Sequence, residues 1–252
     1  MITITEQSIG EIPTLFVTKN YGQHKALPTV IYFHGFTSAK EHNLPLAYLL
    51  AEKNFRVILP DSKWHGNREG KISETKRQLS FWDIVINNIY DAKTIKQYLD
   101  EEHLILDGRL GVAGTSMGGI TTAALLATYE WINVAAILMG SPKLTAYADQ
   151  LIEQFPDQDK LPPKEDITHL KQTLLSHDLS HHLHTLNDRP LLLWHGDADR
   201  VVPFAHTKSF YETAKQVYKK KKHLQFIQEQ GRGHKVSRHG ILETFNWFLK
   251  YL

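Results

Sequence analysis

The stretch Gly114-Thr115-Ser116-Met117-Gly118 decides how this chain is read. It follows the strand-like run Arg109 to Ala113 and precedes the small-residue helical run Met117 to Tyr129, so a G-x-S-x-G pattern falls at a strand-to-helix turn. Such a tight turn strains the backbone of its central residue and lifts that side chain into solvent. Side chains two positions to either side would collide, which accounts for Gly114 and Gly118. Gly-rich turns in α/β folds also serve as plain connections or phosphate cradles, so the neighbouring elements must decide what the turn does.

Working outward, Thr29 to Phe33 reads as a buried strand, Leu44 to Lys53 as a helix and Phe55 to Leu59 as a strand. Strands follow at Val134 to Met139, Leu191 to Trp194 and His223 to Gln228, with helices at Phe204 to Tyr218 and Ile241 to Leu252. The alternation predicts an α/β fold with a mostly parallel central sheet and helices on both faces. Residues 2–8 and 11–18, separated by Gly10, predict an N-terminal antiparallel pair. Ser73 offers half a capping signal, and Leu79, Trp82, Ile86, Ile89 and Ile95 recur at helical spacing, predicting one long helix to about Leu99. Residues 141–188 break the rhythm. They are polar and carry Pro142, Pro156, Pro162 and Pro163, and they predict a small helical cap inserted in one domain spanning 1–252 and walling the substrate pocket.

Of 252 residues 42% are hydrophobic and 22% charged, enough for one large core or two small ones. The net charge of +2 supplies no field to recruit nucleic acid or an acidic membrane. The absence of cysteine excludes disulfides, zinc ribbons, iron–sulfur clusters and a thiol nucleophile. Glu6 and several threonines interrupt any secretory leader at the N-terminus. No apolar run approaches the ~18 residues that span a bilayer. The expectation is a soluble, cytoplasmic protein.

A serine hydroxyl attacks a carbonyl only when a base takes its proton, and the base needs a carboxylate to orient it. His234, in Gly231-Arg232-Gly233-His234, lies between the last strand and the last helix and is the candidate base. Asp197 and Asp199, in His195-Gly196-Asp197-Ala198-Asp199-Arg200, compete for the acid role; the loser would hold the loop as an Asx-turn residue. The order along the chain is then Ser, Asp, His. An oxyanion needs two backbone donors, and the amides of Met117 and of Phe36, in His34-Gly35-Phe36-Thr37, stand in the right places.

Other signals in the chain have plainer roles beside them. Trp64 and His65 follow a strand end and are candidate pocket residues, although a tryptophan there also serves as core. His177, His181, His182 and His184 fall at i,i+3 and i,i+4 spacings but read better as a polar face of the cap than as a zinc site. Lys219 to Lys222 reads as a solvated helix end. No metal or cofactor is expected.

In this order and spacing, the pieces resemble the α/β-hydrolase superfamily over nearly the whole chain. The stretches HGFTS, PDSKWHG, GTSMGG, RPLLLWHGDADRVVP and GRGH resemble small bacterial carboxylesterases of the YjfP and YitV kind, akin to dienelactone-hydrolase and prolyl-oligopeptidase-like enzymes. The resemblance implies that Asp199 is the triad acid and Asp197 supports it. Ser116 departs from the cysteine nucleophile of dienelactone hydrolases and from the aspartate of haloalkane dehalogenases. The single-glycine HGF turn resembles the GX class of oxyanion hole, which implies esters of primary and secondary alcohols.

The expected function is a serine carboxylesterase acting on a small-molecule ester through Ser116, His234 and Asp199. A thioesterase, deacetylase or small peptidase shares the triad, with amides less expected because related peptidases carry a large extra domain. A small-molecule binding protein that retains the triad without turnover is the rival from another class. No residue pattern points to an oligomeric state.

Overall fold

The computed structural model describes residues 1–252. β1 (Ile2–Ile9) and β2 (Ile12–Lys19) form the N-terminal hairpin, with Ile9 opposite Ile12. Its turn has Gly10 at φ 57°, where the lack of a Cβ removes the steric penalty.

Next come β3 (Leu27–Phe33), α1 (Leu44–Glu52), β4 (Arg56–Pro60), α2 (Glu74–Leu79), α3 (Phe81–Glu101) and β5 (Ile105–Thr115). They are followed by α4 (Met117–Thr128), β6 (Val134–Leu138), α5 (Leu144–Glu153), α6 (Lys164–His177) and β7 (Leu191–Gly196). The chain closes with α7 (Phe204–Val217), β8 (Leu224–Glu229) and α8 (Arg238–Tyr251). The sheet order is β1-β2-β4-β3-β5-β6-β7-β8. β2 runs antiparallel to both neighbours, and every pairing from β4 across to β8 is parallel. This is an α/β-hydrolase fold.

Because parallel strands are covered on both sides, their residues alternate between two cores rather than between core and solvent. Ile31, Phe33, Ile137 and Leu193 pack with α3, α4 and α7, while Val30, Tyr32, Ala136 and Trp194 pack with α1 and α8. The larger core lies on the α3–α4 side, where Leu144, Tyr147, Ala148 and Leu174 of the inserted helices join it.

Register carries the sheet to the site. Phe33 lies opposite Gly114, Gly114 opposite Ile137, and Ile137 opposite Leu193. The carboxyl ends of β3, β5, β6 and β7 are therefore level, and His34, Ser116, Met139 and His195 emerge at one edge. Ligands of open α/β sheets bind at that edge.

Three local expectations change. The single helix expected up to Leu99 is two: Ser80 (φ −85°, ψ 7°) leaves helical geometry and separates α2 from α3. Apolar spacing runs through the join because Leu79 and Trp82 face the same groove against Leu151, so periodicity hides the break. Ser73 does cap α2, its hydroxyl accepting the Lys76 N–H at 3.2 Å. β6 stops at Leu138 because Met139 is left-handed, at φ 51°. α6 ends at His177, so the four histidines do not share a helix; the His177 ring bonds the Thr128 hydroxyl and the His182 ring the Leu175 carbonyl. No helix is long and apolar enough to cross a membrane.

Candidate active site

Ser116 sits at φ 57°, ψ −115°, a strained conformation for a residue with a side chain. Its N–H donates to the Leu138 carbonyl at 2.8 Å, and its own carbonyl accepts from Ile120 at 2.9 Å to begin α4. The strain is maintained by packing. A Cβ on Gly114 would stand 2.2 Å from the Gly118 oxygen, and one on Gly118 would stand 2.0 Å from the Phe33 oxygen. Both glycines are thus required by backbone contacts that cannot yield.

The loop after β8 brings His234 over the elbow, its Nε2 2.8 Å from Ser116 Oγ. Its Nδ1 lies 2.7 Å from Asp199 Oδ2. Of the two rival aspartates, Asp199 thus holds the imidazole, and Asp197 shapes the loop: it accepts from the Gly231 N–H at 2.7 Å and from Gln228 Nε2 at 3.0 Å. The two loops are joined closely enough that a Cβ on Gly196 would meet the Arg232 oxygen at 2.2 Å.

The Asp199 side chain is fully buried. Its Oδ1 accepts the Val201 and Val202 N–H groups at 2.8 and 3.1 Å, and Oδ2 meets both His234 and His195. Burial alone would raise its pKa, but hydrogen bonds with His195, His234 and the Val201 amide hold it well below the usual carboxylate range. The carboxylate is kept ionised where it can stabilise a cationic imidazole.

The His34-Gly35-Phe36 turn lies against the elbow: a Cβ on Gly35 would sit 3.4 Å from the Thr115 oxygen and 3.5 Å from Ser116 Cβ. Phe36 N–H donates to no carbonyl among the turn and loop bonds, and Met117 N–H, in the first turn of α4, has no partner within its helix, so both are candidate donors to an oxyanion. Two histidines fix this turn, and sequence reasoning did not single out His34. Its Nε2 accepts the Ser62 N–H at 3.0 Å and its Nδ1 donates to the Gly35 carbonyl at 2.8 Å, a pattern only the neutral ring can make. Burial lowers its pKa to about 4. His65 repeats the arrangement, accepting from Thr37 N–H at 3.1 Å and facing the Lys63 carbonyl at 2.8 Å.

A cavity of about 490 Å³ opens beside Ser116, lined by Phe36, His42, Leu46, Met139, Lys235 and Ile241 among others. Its walls come from residues 38–46 and 234–241. No residue of 141–188 lines it, so the pocket wall expected from the insertion is built by other segments; α5 and α6 pack instead against α4 and the start of α3. Trp64 and His65 do not line the cavity either. The His65 ring lies 5.2 Å from the Phe36 ring and supports the turn from behind, while Trp64, at φ 62°, packs over Gly70. The wall at 38–46 is anchored by buried Lys40, whose ammonium pairs with Asp61 at 2.7 Å; the same carboxylate accepts the Lys40 and Asn67 N–H groups.

A level sheet edge with a serine at a strained elbow, a buried carboxylate and a histidine, in that chain order, defines an α/β-hydrolase. More narrowly, residues 47–252 match the prolyl oligopeptidase family, and the chain belongs to it. YitV of Bacillus subtilis (strain 168) is 45% identical over 255 residues, covering 100% of both chains. The esterase YjfP of Escherichia coli (strain K12) is 34% identical over 206 residues, 81% of each chain. Among solved structures, TT1662 from Thermus thermophilus shares the fold, with a TM-score of 0.79 at 20% identity, covering 99% of this chain and 97% of that one. The chain is accordingly an esterase-like hydrolase of this family.

Proposed function

We propose that the chain is a serine carboxylesterase for small acyl esters. The observation that carries the reading is the unbroken path from Ser116 Oγ through His234 to Asp199, at 2.8 and 2.7 Å, beside a cavity. As Ser116 Oγ attacks the ester carbonyl, its proton passes to His234 Nε2, and Asp199 stabilises the resulting imidazolium. The carbonyl oxygen takes up negative charge and receives the Phe36 and Met117 N–H groups. Collapse expels the alcohol, protonated by His234, and leaves an acyl-Ser116. Water, deprotonated by His234, then attacks the acyl group and returns the serine with release of the acid.

The similarity to the esterase YjfP supports an ester as substrate. Cleavage of amides by the same groups is the second reading, and the prolyl oligopeptidase family match is what favours it. The test is hydrolysis of p-nitrophenyl acetate across pH by the wild type and Ser116→Ala, followed by a p-nitrophenyl ester chain-length series against aminoacyl p-nitroanilides. Turnover that rises as a histidine base loses its proton, and is absent from the variant, is the expected result. Equal rates in the two proteins would overturn the mechanism; saturable thermal stabilisation without product would point to a binding protein.

A further inference from the structure

The esterase mechanism leaves one buried imidazole unused. His195, the penultimate residue of β7, has no exposed surface, and its Nε2 lies 3.1 Å from Asp199 Oδ2, the same oxygen that holds His234. The second neighbour of that nitrogen is the Val202 carbonyl, also at 3.1 Å. Both neighbours are pure acceptors, since Asp199 is held ionised, so a lone pair on Nε2 would face two oxygens in a dry site. Nε2 therefore carries a proton.

The other ring nitrogen does not alter this. Nδ1 meets the Thr207 hydroxyl at 2.8 Å, and that hydroxyl is also 2.9 Å from the Gly140 carbonyl. A Thr207 hydroxyl that donates to Gly140 accepts an Nδ1–H, and one that donates to the ring meets a bare Nδ1; in both arrangements the Nε2–H is directed between Asp199 and Val202. Thr207 further ties the imidazole to Gly140, next to the cavity-lining Met139. Asp199 Oδ2 thus has two imidazole donors, and Oδ1 has two backbone donors.

We propose that His195 is a positioning residue for the triad: its Nε2–H fixes the Asp199 carboxylate and moderates the basicity felt by His234. The proposal rests on the esterase reading. A carboxylate that already accepts a proton donor on Oδ2 draws less strongly on the His234 Nδ1 proton, and it cannot rotate away when His234 becomes cationic. Removing the donor leaves more negative charge on Oδ2, so protonated His234 is stabilised and more alkaline solution is needed to free the base.

The other titratable groups packed around Asp199 and His234 do not substitute. Tyr147 of α5 donates to the Val201 carbonyl, His206 of α7 bonds the Ser141 hydroxyl, and Lys235 and His42 face the cavity. None of them bonds Asp199.

The experiment uses two amides that mimic opposite ends of the ring. His195→Gln can set an N–H near the Nε2 position, and His195→Asn sets its amide near the Nδ1 position, toward Thr207. Asn is expected to lower kcat for p-nitrophenyl acetate by roughly 10- to 100-fold with little change in KM, and to move the acid limb of kcat/KM to higher pH. Gln is expected to recover most of kcat and the wild-type limb. Both variants keeping wild-type kcat and limb, or both losing activity equally with the limb unmoved, would overturn the proposal. Ring 15N spectra of the wild type need no folded variant: a protonated Nε2 on His195 is expected, and an unprotonated one overturns the proposal. Absence of any Ser116-dependent turnover in the wild type would instead defeat the esterase reading, while the ring spectrum would still report on the bond.

Discussion

α4 and α6 are neighbouring helices of similar length, yet they answer to different constraints. Ten of the twelve residues of α4 are buried, whereas Leu174 is the sole buried residue among the fourteen of α6. α4 begins directly after Ser116 and is gripped by backbone on several sides, at Gly118 by Phe33 and at Gly119 by Leu138 and Gly140. α6 touches the body of the fold mainly along one stripe and lines no part of the cavity beside Ser116. Proximity to Ser116 in this fold is set by sheet register and backbone packing, while the inserted helices are attached to the outside of that arrangement.

The sharpest test of that contrast is Ser116→Ala, expected to reduce kcat/KM for p-nitrophenyl acetate by about 10³-fold or more, with the fold intact by circular dichroism. An equal loss from an α6 surface substitution would break the comparison. Next in size, Gly118→Ala forces a Cβ into the Phe33 carbonyl and is expected to cost about 3 kcal/mol or more in urea unfolding, or to prevent folding. A variant of wild-type stability would show that the elbow backbone can relax.

A third test reads pH. His34 is held neutral when folded, with its pKa lowered by burial to about 4, whereas an unfolded histidine titrates near 6.5. Above that value the two states bind equal protons. As pH falls toward 4 the unfolded chain gains a proton that the folded chain does not, so His34 removes stability progressively, by roughly 3 kcal/mol at pH 4. In His34→Gln the slope of unfolding free energy between pH 6.5 and 4 should be shallower; an unchanged slope would show that His34 is protonated in place. The smallest effect is expected on the exposed side of α6, where Thr168→Ala should change stability by less than about 0.5 kcal/mol and leave kcat unchanged in the same assay.

Much of the site was legible in sequence because it is written in residues with few substitutes. Gly114 and Gly118 mark close backbone contacts, and Ser116, Asp199 and His234 appear in the order the chemistry requires. The β/α rhythm gave the strands because buried parallel strands read as short apolar runs. The break at Ser80 was not legible, since Leu79 and Trp82 keep helical spacing across it. Nor was the part played by His65, which the sequence suggested for the pocket and which lies behind the turn at residues 34–37. For His34 and His195 the one signal in the chain is that each precedes a glycine at a strand end.

The α/β class, the elbow and the candidates for nucleophile, base and acid could be read from the chain alone, because these depend on local backbone geometry and on residue chemistry. Which of Asp197 and Asp199 contacts His234 came from the tertiary structure, because the two stand two residues apart and differ in which loop they face. The tertiary structure also decided which segments wall the cavity, because that depends on how distant loops meet across the sheet edge, and no periodicity in the chain encodes such a meeting.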